Sequence, residues 1–279
     1  MASTMPRHGL DIVDVFAEAP LAGNQLAVVR DASQLTTERM QAMALEMNYS
    51  ETTFVISESS DRARVRIFTP TQELPFAGHP TLGTAWLLAR QQDHFTLELD
   101  AGDIRVEFED GVGWMRPPPI ELHETHSAGQ IATTLGIDPT DIDARFAPQR
   151  GSVGLEFLFV GLRSVSVLEN LEMTLDRFRA VPSFALFAFT EGRDTGIADY
   201  RARMFFESGG LREDPATGSA NSIFAAYLMQ SRGPDFSIVV DQGVEMGRPS
   251  RIYLEARGGR IRVGGKVQTV VTGEWTLED

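Results

Sequence analysis

The chain has 279 residues, 42% apolar and 23% charged, with a formal net charge of −14. That length can bury one or two large cores, and so acidic a surface repels phosphate backbones, which argues against nucleic acid as a partner. The sequence has no cysteine, which removes disulfides, thiolate metal sites and cysteine nucleophiles together.

The first half reads as strands and turns broken by two helices. "LDIVDVFA" (10–17) alternates β-branched residues and predicts a strand, and "PLAGNQLAVVRD" predicts a turn and a second strand. Leu35, Met40, Met43, Ala44 and Met47 recur at helical spacing through 35–50. "ETTFVIS" and "RARVRIFTP" predict the next strands, "TLGTAWLLARQQ" a helix, and "FTLELDAGDIRVEFEDGVGWMRPP" strands joined by glycine turns. No apolar run approaches the ~20 residues of a membrane span, and "MASTMPRHGLDIVDVF" lacks the apolar stretch of a signal peptide. A cytoplasmic protein without a membrane partner is the expectation.

"RPPPIELHETH" (116–126) marks the domain boundary, because three consecutive prolines favour extended chain. After it, "SAGQIATTLGI" predicts a helix, and "GLEFLFVGL", "SFALFAFT", "ARMFFES", "FSIVVDQG", "RIYLEARGG" and "RIRVGG" predict strands. The expected domains are 1–118, joined by a terminal strand near 268–279, and 119–267. Glu121, His123, Glu124 and His126 suggest a metal site, but their spacing does not match H-E-x-x-H, so a solvated loop is expected and no metal. "GNQLAVV" lacks the dinucleotide fingerprint, and neither a P-loop nor a G-x-S-x-G elbow occurs.

Two short stretches carry the chemistry. "AGHPTLGTAWLL" (77–88) and "TGSANSIFAAYL" (217–228) share a pattern: glycine, a polar residue, small residues, then an apolar run. They lie about half a chain apart, which points to duplication and to two similar domains, each with a helix buried on all sides. The first N–H groups of a helix lack internal acceptors and sit at the positive end of its dipole, so each stretch can cradle a carboxylate or an oxyanion. Equally, glycine and serine favour ordinary helix starts. If both starts face one interdomain cleft, they hold two ends of one small substrate.

Glu51, in "NYSETTFV", has apolar neighbours that would let a carboxylate exchange protons near neutral pH. The alternative is an exposed glutamate after a helix. His79 stands in the first cradle as a donor, or as a helix-start histidine bonded to local backbone. Asp214, before "PATGS", can orient an amine or hydroxyl, or serve as a turn or N-cap aspartate.

"DVFAEAPLAGNQLAVV", "NYSETTFV", "RIFTPTQELPFAGHPTLGTAWLL", "EDPATGSA" and "QGVEMGRPS" resemble, in order, the PhzF family of phenazine-biosynthesis isomerases. The resemblance implies a diaminopimelate-epimerase-like α+β fold. It has two pseudo-symmetric domains, each a barrel-like sheet around a central helix, with the site between them. It further implies a homodimer that uses no metal or organic cofactor. By motif, the proton-shuttling glutamate falls on Glu51, and the assisting histidine and aspartate on His79 and Asp214. Substrate contacts fall on Ser50, Gly78, Thr217, Gly218 and Ser219. Diaminopimelate epimerase and proline racemase use a cysteine pair, which this chain lacks.

The implied function is a cofactor-independent isomerisation of trans-2,3-dihydro-3-hydroxyanthranilate, a small anionic amino-acid-like substrate. Tyr49, Pro215, Asn221 and Ser222 depart from the phenazine-pathway pattern. That leaves a related isomerase or epimerase of another amino-acid-derived metabolite as the alternative. A non-catalytic small-molecule binder is a second alternative, although it would have little need of Glu51.

Overall fold

The computed structural model describes residues 7–192 and 198–276. Two compact units divide the chain, Met1–Met115 with Gly265–Asp279, and Arg116–Gly264. No helix of the described residues is long and apolar enough to cross a membrane.

The first unit holds β1 (Arg7–Val15), β2 (Asn24–Val29), α1 (Thr37–Met47), β3 (Glu51–Glu58), β4 (Arg62–Phe68), the short β5 (Glu73–Leu74), α2 (Gly78–Ala89), β6 (His94–Leu99), β7 (Gly102–Glu109) and β8 (Val112–Met115). The second holds β9 (Glu121–Thr125), α3 (Ala128–Leu135), β10 (Gln149–Ser152), β11 (Glu156–Gly161), α4 (Val165–Glu169), α5 (Leu175–Arg179), β12 (Ala185–Glu191), β13 (Tyr200–Glu207), β14 (Leu211–Asp214), α6 (Gly218–Arg232), β15 (Phe236–Gln242), β16 (Ser250–Arg257) and β17 (Arg260–Gly265), whose last residue belongs to the first unit. The chain ends on β18 (Val267–Thr276), which pairs antiparallel with β1.

Strand pairing repeats between the units. From β1 to β8 the ladder runs antiparallel, then parallel from β2 to β3, antiparallel through β4 and β5, parallel from β4 to β6, and antiparallel to β8. From β10 to β17 the same sequence of pairings recurs, with β11–β12 and β13–β15 as the parallel steps. The second parallel step crosses over through α2 in one unit and α6 in the other. An extra strand joins the first strand of each repeat, β18 on β1 and β9 on β10.

α2 is buried on nearly every side, and it packs against β1, β2, β3, β6, β7 and β8. Gly83 permits this closeness, because a Cβ there would sit 2.6 Å from Val15 Cγ2 and 2.8 Å from Leu26 Cδ2. In the second unit, Phe224 of α6 lies 4.5 Å, centroid to centroid, from Phe189 and 5.3 Å from Phe187. The opposite face of the same strands, through Leu158, Val160, Leu186 and Ala188, packs on Ile131, Leu135, Leu168 and Phe178 of the outer helices. Burial on both faces explains why "ALFAFT" in β12 reads as a continuous apolar run rather than an alternation.

One segment departs from expectation. Residues 121–125 form β9, where a solvated loop was expected. Its side chains stay exposed or half-exposed, so the polarity that suggests a loop belongs to a strand defined by its backbone pairing with β10.

Candidate active site

The first unit brings Glu51 and His79 together. α1 ends at Asn48 in the left-handed region (φ 52°), and half-buried Tyr49 and Ser50 lead into β3. The parallel pairing of β2 with β3 sets Glu51, the first residue of β3, opposite Leu26. His79 is the second residue of α2. Glu51 Oε2 lies 3.3 Å from His79 Nδ1, with side chains 16% and 4% exposed. Asn24 Nδ2 lies 3.4 Å from the same nitrogen.

Burial pushes the His79 imidazole down to about 3, the Gln25 backbone opposing the shift more weakly. The ring is therefore neutral at pH 7 and is no source of an imidazolium proton. It can still serve Glu51 in both states. At this distance an ionised Glu51 would accept from Nδ1–H, and a bare Nδ1, with its single lone pair, would accept either from a protonated Glu51 or from Asn24 Nδ2. A carboxyl group whose partner suits either form is equipped to take up and release a proton at one place.

The second unit places Asp214 at the end of β14, 5% exposed. Its Oδ2 accepts from the Thr217 hydroxyl at 2.6 Å. Gln242 ties this corner together. Its Nε2 donates to Asp214 O at 2.8 Å and to Thr217 Oγ1 at 3.1 Å, and its Oε1 accepts from Thr217 N at 3.3 Å and from Asn221 Nδ2 at 3.0 Å. Gly243 follows with φ 73°, and a Cβ there would lie 2.6 Å from Pro215 O. Sequence reasoning missed Gln242 as a site residue. Its signal is a glutamine on an inward, fully buried strand position, followed at once by glycine.

Both helix starts forgo a side-chain cap. Ala77, the N-cap of α2, has no side-chain oxygen to offer, and Thr217, the N-cap of α6, turns its hydroxyl to Asp214 instead. The early N–H groups of Gly78 and His79, and of Gly218 and Ser219, are thus left to an incoming acceptor. Gly78 and Gly218 are buried, and Ser219 is half-buried.

A matched brace fixes each start. Arg66 Nε and Nη2 donate to Glu73 at 2.6 and 2.7 Å, and Arg203 Nε and Nη2 to Glu213 at 2.9 and 2.8 Å. Each guanidinium also lies over a phenylalanine, Phe68 at 5.1 Å and Phe205 at 4.8 Å. Glu73 and Glu213 both precede the helix-opening glycine by five residues. In this frame Leu74 occupies the place of Asp214, so the acid before the helix exists in one repeat and the acid opening β3 in the other.

His123 and Glu124 are neighbours on β9 and so point to opposite faces of the strand. Glu124 is engaged by Arg150, and among the described residues no group of three His, Asp or Glu could hold a metal ion.

A family model for phenazine biosynthesis-like proteins, PhzC-PhzF, matches residues 13–276. The chain belongs to this family. The trans-2,3-dihydro-3-hydroxyanthranilate isomerase of Pseudomonas aeruginosa is 39% identical over 92% of this chain and 93% of its own length. A PhzF-family phenazine biosynthesis protein of Bacillus anthracis superposes with a TM-score of 0.85 at 25% identity, over 98% of this chain and all of its own. A hydroxyproline epimerase of Agrobacterium vitis shares the fold, with a TM-score of 0.67 at 14% identity over 98% of this chain and 93% of its own. This PhzF-family member is an isomerase of diaminopimelate-epimerase-like architecture.

Proposed function

We propose that this enzyme isomerises trans-2,3-dihydro-3-hydroxyanthranilate, with Glu51 as the proton carrier. The observation that carries the reading is the Glu51–His79 contact, a carboxyl group held against a buried neutral imidazole. The identity of 39% to an isomerase of that substrate supports it.

Ionised Glu51 removes the proton from C3, and the electrons spread through the conjugated diene. The same carboxylic acid returns the proton to C1 at the far end of that system. The C3 hydroxyl is then part of an enol, which tautomerises to the ketone, and no atom is gained or lost. The uncapped starts of α2 and α6 offer N–H donors to the substrate carboxylate and to developing charge. Asp214, held by Thr217, accepts from the amine or hydroxyl. The enzyme needs neither metal nor organic cofactor, and it works as a cytoplasmic homodimer.

The test is ultraviolet absorbance on incubation with this substrate. Glu51→Gln keeps the shape and removes the exchangeable proton. It should lower single-turnover rates by about 10²–10⁴-fold while calorimetric affinity changes little. In D₂O, one carrier serving both carbons should pass some of the substrate's own hydrogen to the product. A near-normal rate for Glu51→Gln overturns the shuttle. No conversion by the wild type overturns the substrate assignment.

A further inference from the structure

In a chain of net charge −14, nearly every described arginine has a partner. Among the described arginines, the side chains of Arg116, Arg257 and Arg260 make neither a hydrogen bond nor an ion pair, and all three line one recess of about 320 Å³ in the second unit. Arg257 and Arg260 stand directly opposite each other across the Gly258–Gly259 turn of the β16–β17 hairpin. Like charges in that position are unfavourable, and both side chains are exposed.

The nearby carboxylates are committed. Glu255 is held by Arg262 Nε at 2.9 Å, and Asp235 Oδ1 accepts from Gly258 N at 2.8 Å. A second recess of about 390 Å³ shares Arg116 and Arg260, and Pro117, Met229 and Ile261 form part of its wall. The place is remote from the start of α6. A Cβ on Gly259 would sit 3.8 Å from Met229 Cε, and Met229 lies ~16 Å along the helix from Gly218 at ~1.5 Å per residue.

We propose that these joined recesses form a second, non-catalytic site for an organic anion. Its carboxylate or phosphate is taken by Arg116, Arg257 and Arg260, and its apolar ring lies on Pro117, Met229 and Ile261. Planar guanidinium forks suit both anionic groups, and recesses of this size suit a one-ring ligand.

The full-length protein is titrated calorimetrically with phenyl phosphate, benzoate and inorganic phosphate. Phenyl phosphate should bind saturably and at least tenfold tighter than inorganic phosphate, and comparison with benzoate tells which anionic group the site prefers. The double variant Arg116→Gln/Arg260→Gln should weaken phenyl phosphate at least tenfold while turnover without it stays unchanged. Met229→Ala should weaken phenyl phosphate and leave inorganic phosphate alone. Equal affinity for phenyl phosphate and inorganic phosphate overturns the apolar half of the site. Affinity unchanged in the arginine variant, or binding abolished by substrate, overturns the site altogether. So does a variant that changes oligomeric state in place of ligand affinity, read by light scattering.

Discussion

Acid should destabilise this protein through His79, and the size of the effect follows from its burial. The imidazole has an ordinary value of 6.5 in the unfolded chain and about 3 in the fold, where desolvation dominates. Between those values the unfolded state binds the proton and the folded state does not. The contribution to stability is thus complete above pH 6.5 and is lost as pH falls toward 3. Each pH unit changes it by up to about 1.36 kcal/mol, which integrates to about 2.5 kcal/mol between pH 6 and pH 4. Urea unfolding of wild type and His79→Gln across that range measures the difference. Carboxylates such as Asp143, held low by Arg145, also lose stability in acid, but they do so in both proteins and cancel. The competing possibility is sharp, because Glu51 lies 3.3 Å from the ring. If its carboxylate captured an imidazolium, the folded value would exceed 6.5, and wild type would instead lose stability as pH rises above neutrality. That sign, or a His79 ring resonance titrating above pH 6.5, would refute the argument.

Four further outcomes are expected. Gln242→Leu strands the Thr217 amide and the Asp214 backbone carbonyl, and it should cost about 1–3 kcal/mol in thermal unfolding together with a fall in kcat; unchanged kinetics would remove Gln242 from the site. Gly243→Ala places a methyl 2.6 Å from Pro215 O at φ 73° and should destabilise by more than about 1 kcal/mol, seen as a lower Tm. Arg203→Met should cost about 3 kcal/mol, since it leaves Glu213 largely buried without its partner. Arg66→Met should cost less, since its ion pair is 24% and 30% exposed against 11% and 16%; equal losses by urea unfolding would contradict the burial argument. Exhaustive chelation should leave turnover unchanged, and activity restored by one specific metal would overturn the cofactor-free reading.

Local periodicity made most elements legible in the sequence. Alternation in "LDIVDVFA" and the helical recurrence of Met40, Met43 and Met47 mark β1 and α1 because spacings of 2 and 3.6 residues are properties of the chain itself. The glycine-led starts of α2 and α6 and their half-chain spacing were equally visible, and so, in principle, were the paired Arg–x–Phe and Glu–x–Pro–x–x–Gly blocks that brace them. β9 was not, because its polar side chains carry no alternation and only the β10 partner makes it a strand. Local sequence context and motif pointed to Glu51, His79 and Asp214 as candidates, yet residues 49–53 say nothing of what Glu51 touches. The parallel β2–β3 register and the close seat of α2 at Gly83 put the carboxylate against the imidazole. The network through Gln242 likewise exists because β15 ends beside the start of α6. Contacts between residues far apart in sequence depend on strand register and helix packing, which no short window of sequence encodes, and there the tertiary structure decided the chemistry.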